Sequence, residues 1–505
     1  MATALSPQAR PPRRRPGPSP QLGWTALAAA ATLVVVALLY LGPVLPIALL
    51  GAVLVVLLAA FRPKAFALLA LVVIVLSTPI QLLLGTVGGY ADEGVVALAV
   101  LALTTRRLVT EGRLVWLPGG GWYLGYLVAG VLSSVVAQVP ATTAVPAGFI
   151  ALKGVLFAFA LAQVRWARTD LVVLVRIGIA AVVAVAVSGL LNLLLPTAWA
   201  QFTTGRPPIS YIGPIAAING VFQHPAAFSR FAGVLAVGCL VYGLLVRRSV
   251  GNAVLLAISG GFAVLTFQVK SIVGLLVTLT ALVTRYLRPV GAAALLCLSP
   301  LVLLIAGPPL VALVGGDVEI YLVQDSARGL LTAGGLIVAA QYFPFGAGFG
   351  RYGSSVAAEE YSPLYYALGF PGRFGLGPGP DSGQFLNDNQ WPAIVGETGW
   401  IGAACFAAGI ACMLIALLRR TSADEDVLVR WMRVTGVGWM ILLIVESAAS
   451  PVFVSAPSFP FVFAAAGVIA SFRQSAHDGR PPAGPAVTRD GTPSGRHSRP
   501  GPVDG

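Results

Sequence analysis

Apolar runs long enough to cross a bilayer recur from Trp24 to Phe472, and the loops between them are short and carry arginine or lysine. In hydrocarbon such a run satisfies its backbone hydrogen bonds only as a helix, so a chain built of them folds as a bundle of membrane helices. The make-up agrees: 57% of the 505 residues are hydrophobic and 10% charged, well outside the soluble range. The expected fold is an all-α polytopic membrane protein with about fourteen transmembrane helices, twelve at the fewest. The net charge of +13 is spread over short loops and tails; that is a mark of membrane orientation and argues against nucleic acid as a partner.

The chain divides into three parts. Residues 1–21 read as a disordered basic leader, 22–472 as the transmembrane domain and 473–505 as a Pro/Gly/Ser-rich disordered tail. No cleavable signal peptide is evident. The run from Trp24 to Phe61, broken at Gly42-Pro43 and Pro46, reads as a helical hairpin. Further spans are expected at about 65–84, before Arg106-Arg107, at 120–136 and 147–164, and up to Leu195. The series continues before Arg247-Arg248, on both sides of Lys270, at 290–314, and three more times after Gln390. On this count the loops with Arg62/Lys64, Arg106/Arg107/Arg113, Arg165/Arg168, Arg247/Arg248, Arg285/Arg288 and Arg419/Arg420 share one side with both tails. The positive-inside rule makes that side cytoplasmic.

The segment Asp317–Gly402 interrupts the apolar pattern, with residues 316–391 forming a large extracytoplasmic loop. Loops of this length are functional or disordered, and its aromatics and glycines argue for a folded one. Within it, 326–343 reads as a short interfacial helix, capped by Asp325 or Ser326 and stopped by Pro344. The run Gly346-Ala347-Gly348-Phe349-Gly350 does not follow a strand of a βαβ unit, so it is not a dinucleotide fingerprint. Its glycines suit tight turns and close approach to a substrate.

Seven basic residues break the positive-inside rule: Lys153, Arg206, Arg230, Lys270, Arg328, Arg351 and Arg373. Singly, each reads equally as a snorkelling or structurally paired cation. As a set on the outer face they suit a phosphate or diphosphate, with Arg206, Arg230 and Arg328 expected to converge on one anionic pocket. Asp388, between two asparagines and before Trp391-Pro392, stands near the positive end of a helix. It is a candidate general base; a simple helix cap is the other reading. Glu397 lies deeper and needs a partner, for which a structural ion pair with an outer-half arginine such as Arg230 is expected. Glu446 raises the same question. His224 is the one histidine outside the tail, and a structural hydrogen-bonding role stands beside a substrate-binding one. The four cysteines lie in apolar runs and imply no disulfide, and no metal set or cofactor is implied.

At these residues the chain resembles the O-antigen ligase and O-antigen polymerase superfamily of bacterial envelope glycosyltransferases. Three elements carry the resemblance, in order, over about 153–472. The first is Gly220-Val221-Phe222-Gln223-His224-Pro225. The second is Arg328 followed by Pro344-Phe345-Gly346-Ala347-Gly348-Phe349-Gly350. The third is Asp388-Asn389-Gln390-Trp391 with Glu397-Thr398-Gly399-Trp400-Ile401-Gly402. The ligases usually carry His where Asp388 stands, which tilts the resemblance toward a polymerase. The Asn that often follows the His-Pro is Ala226, and an earlier Ser-Arg is represented by Lys270-Ser271 reversed. The resemblance implies an inverting, metal-independent transfer at the outer face of the bacterial cytoplasmic membrane. The donor would be a polyprenyl-pyrophosphate-linked oligosaccharide and the acceptor a glycan or lipid hydroxyl, with a chain-length regulator or flippase as accessory partner. It places Asp388, Arg328 and Arg230 in catalysis and Arg206, His224, Arg351, Lys270, Asn389 and Glu397 in substrate binding. Many spans with membrane charges suit a transporter or flippase-type envelope protein equally, although no internal repeat is evident and the charges gather on one face.

Overall fold

The computed structural model describes residues 51, 55–209, 211–212, 215–286 and 326–478. It is helical; the only strand pairing among the described residues is the two-residue ladder of Tyr211–Ile212 with Ile215–Ala216. The expected spans at 290–314 and over most of 24–61, with Asp325, residues 1–21 and the tail beyond 478, lie outside the described residues; residues 473–477, expected in the disordered tail, instead continue the last helix. Among the described residues six helices are long and apolar enough to cross a membrane, or seven if one bent pair is a single span.

That bent pair falls at the expected span of about 65–84. Helix α1 (Pro63–Val75) stops at Leu76, and α2 (Ser77–Leu84) leaves at 70° to it. Pro79 explains the break, because it can give no N–H to the carbonyl of Val75 four residues back and its ring crowds that carbonyl. Next come α3 (Ala91–Glu111), α4 (Gly120–Val136), α5 (Ala141–Ala162) and α6 (Arg168–Leu194), then a short α7 (Pro196–Thr204). Helices α8 (Pro225–Leu245), α9 (Val250–Leu265) and α10 (Val269–Tyr286) follow with tight turns between them. After the gap come α11 (Ala327–Gln341), the short α12 (Ser355–Glu359) and α13 (Pro363–Ala367), and the long α14 (Gln390–Leu418). The last two are α15 (Val427–Glu446) and α16 (Phe459–His477).

Small residues let these helices approach closely, as packing in lipid requires. At Gly467 a Cβ would come within 2.1 Å of the Ala158 carbonyl, so α16 and α5 pack backbone to backbone. Helix α14 packs against α4, and α8 against α9 and α15. One apolar core runs through this bundle; a second belongs to the 326–386 segment, centred on Leu331, Val338, Tyr352, Tyr365 and Leu376. The segment is therefore a folded unit. Three tyrosine hydroxyls fasten it: Tyr352 donates to the Leu331 carbonyl (2.5 Å), Tyr361 to the Leu376 carbonyl (2.9 Å), and Tyr365 accepts the Gly353 N–H (2.9 Å).

The helices run alternately up and down, so their ends form two rims. At one rim several basic residues are matched by acids: Lys64 with Asp170 (2.6 Å), Arg107 and Arg165 with Glu111 (2.7 and 2.6 Å), Arg168 with Asp426 (3.1 Å) and Arg433 with Glu425 (2.8 Å). The first turns of α8, α10 and α14 and the last turn of α15 lie at the other rim.

Candidate functional site

The site assembles at that second rim from helix ends. His224 caps α8: its Nδ1 accepts the Ala226 N–H at 3.0 Å, and Pro225 occupies the first helical position, where no donor is missed. An accepting Nδ1 leaves the proton on Nε2, so the imidazole is neutral. Burial, and then the charges of Lys270 and Arg230, push its pKa down to about 4. One turn into α8, Arg230 donates from Nε to the Ala226 carbonyl (3.0 Å) and from Nη1 to Ser458 Oγ (3.2 Å). Glu446, fully buried at the end of α15, faces Arg230 Nε at 3.5 Å. Lys270, in the first turn of α10, donates to the Ala449 carbonyl at 2.9 Å.

The 326–386 segment brings the remaining groups. Ser326 caps α11 by accepting the Gly329 N–H at 3.1 Å, as one of the two expected caps. This fixes Arg328 in the first turn, where Nε donates to Asp388 Oδ2 at 2.8 Å and Nη2 donates to the same oxygen. The Phe385 ring lies 5.8 Å from the guanidinium carbon. Asn389, not Asp388, occupies the cap position of α14, and it makes no side-chain cap bond. Its Nδ2 donates to Thr332 Oγ1 at 3.2 Å. Asp388 is thus the partner of an arginine. Lys270 feels the charges of Asp388, Arg328, Arg230 and Glu446 together, and His224 those of Lys270, Arg230, Asp388 and Arg328. Six residues from five separate stretches of chain therefore share one electrostatic neighbourhood.

Glu397 is placed differently from the expectation. It has no ion pair with Arg230, which faces Glu446 instead. Its carboxylate accepts the Ser354 hydroxyl (2.6 Å) and the Tyr352 N–H (3.2 Å), with the N–H groups of Gly350 and Arg351 also directed at it. The glycine-rich run is explained by the same contact. Gly399 interrupts α14 with φ 65° and ψ −170°, which frees the carbonyls of Gly396 and Glu397 from their helical partners. Ala347 and Gly348 donate to those carbonyls at 2.8 and 2.9 Å, and Ser133 Oγ donates to Glu397 O at 2.8 Å and Gly346 O at 2.7 Å. The glycines thus admit close approach of one backbone to another within the chain.

Arg206 is exposed on the turn after α7, and no described contact joins it to the cluster. Arg351 is half-buried, and its Nε has no hydrogen-bond partner among the described residues. Lys153 is bound in the bundle to Asp92 (2.6 Å) and Glu93. Arg373 is exposed. Sequence reasoning left Glu446 without a partner; the signal available was a lone acid at the apolar end of a span, on the same rim as Arg230. Among the described residues no group of three or more His, Cys, Asp and Glu is placed to hold a metal ion.

An apolar cavity of about 660 Å³ runs along α1, α6, α8 and α9, with none of the six cluster residues in its lining. Val221, Phe222 and Phe231 line it next to His224 and Arg230, and Gly238, Tyr242 and Asn252 line it further along the same helices. The chain matches no protein-family model and no curated protein.

Proposed function

We propose that this chain is a glycosyltransferase of the O-antigen ligase and polymerase type. It moves an oligosaccharide from a polyprenyl diphosphate to an acceptor hydroxyl at the outer face of the bacterial cytoplasmic membrane. The observation that carries this reading is the gathering of Arg230, Lys270 and Arg328 around one partly exposed carboxylate, Asp388, at one rim of an apolar bundle. Fixed cations in a low-dielectric site stabilise the charge that develops on a departing diphosphate. Asp388 is the group that accepts the hydroxyl proton. The acceptor oxygen forms its bond to the anomeric carbon as the bond from that carbon to the phosphate oxygen breaks. The electron pair leaves on the polyprenyl diphosphate, and the proton goes to Asp388. His224, with Nε2 as a donor, and Asn389 flank the sugar, with Arg206 and Arg351 further out on the donor glycan. Glu397 serves by holding the segment that carries Arg351. The 660 Å³ cavity beside Arg230 suits the first isoprene units of the donor.

In this reading about fourteen spans place both tails in the cytoplasm, and the 316–391 loop is extracytoplasmic. The test is transfer by the purified full chain in liposomes loaded with a lipid-linked oligosaccharide. The reading expects a longer or newly attached glycan, lost in Arg328→Gln and Asp388→Asn. Lipid-linked donor that stays unchanged across acceptor hydroxyls, while the protein moves it between leaflets, would establish the flippase-type alternative.

A further inference from the structure

The cluster holds its cations in two different ways. Arg230 and Lys270 are anchored by main-chain carbonyls, those of Ala226 and Ala449, and by Ser458 Oγ, with the sealed Glu446 behind them. Arg328 instead spends two donors, Nε and Nη2, on a single oxygen of Asp388. Both members of that pair reach solvent: the side chains are 12% and 23% exposed, against 0% for Glu446. A guanidinium edge that grips one carboxylate oxygen is the edge a phosphate would take.

We infer that Asp388 and the diphosphate of the donor compete for Arg328, so that Asp388 is released to the acceptor hydroxyl only when the donor is seated. This rests on the transferase reading above and adds an order to it: donor first, acceptor second. Until the donor is seated, Asp388 stands in for the phosphate. On exchange, Arg328 turns to the diphosphate, Phe385 keeps the guanidinium in place, and the Asp388 oxygen that Arg328 held is freed to meet the acceptor hydroxyl. Arg230 and Lys270 need no exchange, since carbonyls already hold them. Removing the Asp388 charge therefore has opposite effects on the two steps: the donor binds more tightly while turnover is lost.

The experiment measures binding of geranylgeranyl diphosphate, with geranylgeraniol as the uncharged control, to the purified full chain in detergent. The forms compared are wild type, Asp388→Asn, Asp388→Ser, Arg328→Gln and the Asp388→Asn/Arg328→Gln double variant. Competition predicts that both Asp388 variants bind the diphosphate about tenfold more tightly than wild type, the order expected for loss of a charged hydrogen-bond competitor. It also predicts that the gain disappears in the Arg328→Gln background, which is the coupling a double-mutant cycle isolates. Equal affinity of wild type and the Asp388 variants overturns the inference. So does a gain that persists without Arg328, or one seen equally with the alcohol. If wild type binds the diphosphate but shows no exchange, only this inference falls. If no form binds the diphosphate, the transferase reading falls with it.

Discussion

Glu397 accepts the Ser354 hydroxyl at 2.6 Å, and this single contact joins the second turn of α14 to a loop residue 43 positions earlier. Three main-chain donors, from Gly350, Arg351 and Tyr352, converge on the same carboxylate. Replacing it with an amide turns one acceptor into a donor that faces other donors. Glu397→Gln should therefore lower stability by about 1–3 kcal/mol, the penalty of buried unsatisfied groups. Thermal unfolding in detergent measures this, and an unchanged midpoint would refute the role.

Gly399 and Gly346 test the backbone contact itself. A Cβ on Gly399 would meet the Pro344 carbonyl oxygen at 2.3 Å, and one on Gly346 would meet the Gly399 nitrogen at 2.4 Å. Both glycines also have positive φ, at 65° and 83°. Either Gly→Ala change should cost about 2 kcal/mol or more from strain and overlap together. Gly369→Ala is the control: it also has positive φ (70°) but nothing within 4 Å of the added carbon, so it should cost only the conformational part, about 1 kcal/mol. Equal effects at all three positions would mean that the overlap is absent.

Much of this was readable from sequence, for physical reasons that differ by element. Helices α4, α8, α14 and α15 follow from apolar length bounded by Pro, Gly and basic pairs. The start of α11 follows from Ser326 and its end from Pro344, because caps and prolines act locally. The bend at Leu76 was also local, set by Pro79, yet the run around it is apolar enough to hide it. Partner choice was not local. Arg230 could pair with Glu397 or Glu446 on charge alone, and only the packing of α8 against α15 decides for Glu446. Glycine-rich runs announce close approach without saying to what; here the object is the broken turn at Gly399. The gathering of Arg328 with Asp388 needed the fold of the 326–386 unit, which brings together residues sixty positions apart.

Orientation is tested by placing single cysteines in a background without Cys239, Cys297, Cys405 and Cys412. Asp381 lies exposed in the loop and Ser422 is exposed between α14 and α15, at the opposite rim. The transferase reading expects an impermeant thiol reagent added to intact cells to label Asp381→Cys and to spare Ser422→Cys. The reverse pattern would invert the protein in the membrane and remove the donor from reach of the site.

His224 predicts a pH dependence. Its pKa is pushed down to about 4 by burial and by Lys270 and Arg230, while an unfolded histidine titrates near 6.5. The unfolded chain therefore binds the proton first as pH falls. Stability contributed by the neutral imidazole is intact above about pH 6.5 and declines as pH approaches about 4, by up to about 3 kcal/mol. His224→Asn keeps a capping acceptor for the Ala226 N–H but does not titrate. It should flatten the unfolding midpoint between pH 7 and pH 5, where wild type falls. Parallel falls in both proteins would assign the dependence to other groups.

The pairing of Arg230 with Glu446 makes the sharpest stability forecast. Glu446 has no hydrogen-bond partner for either oxygen among the described residues, and its nearest guanidinium nitrogen is at 3.5 Å. Its charge is thus offset chiefly by the nearby cations Arg230 and Lys270, with the Ser271 hydroxyl also directed at it. Removing one member of a buried ion pair leaves an uncompensated charge and commonly costs about 3–5 kcal/mol, whereas replacing both with apolar groups of similar volume is often near neutral. Arg230→Met should therefore be strongly destabilising, and Arg230→Met/Glu446→Met should recover most of the loss. Lys270 limits the penalty in the single variant, since it stays beside Glu446 and keeps its own bond to the Ala449 carbonyl. The restored double variant should still fail to transfer glycan if Arg230 carries diphosphate charge, which separates its structural role from its catalytic one. A double variant no more stable than Arg230→Met would show that Glu446 is not balanced by Arg230. A stable double variant with wild-type transfer would remove Arg230 from the reaction.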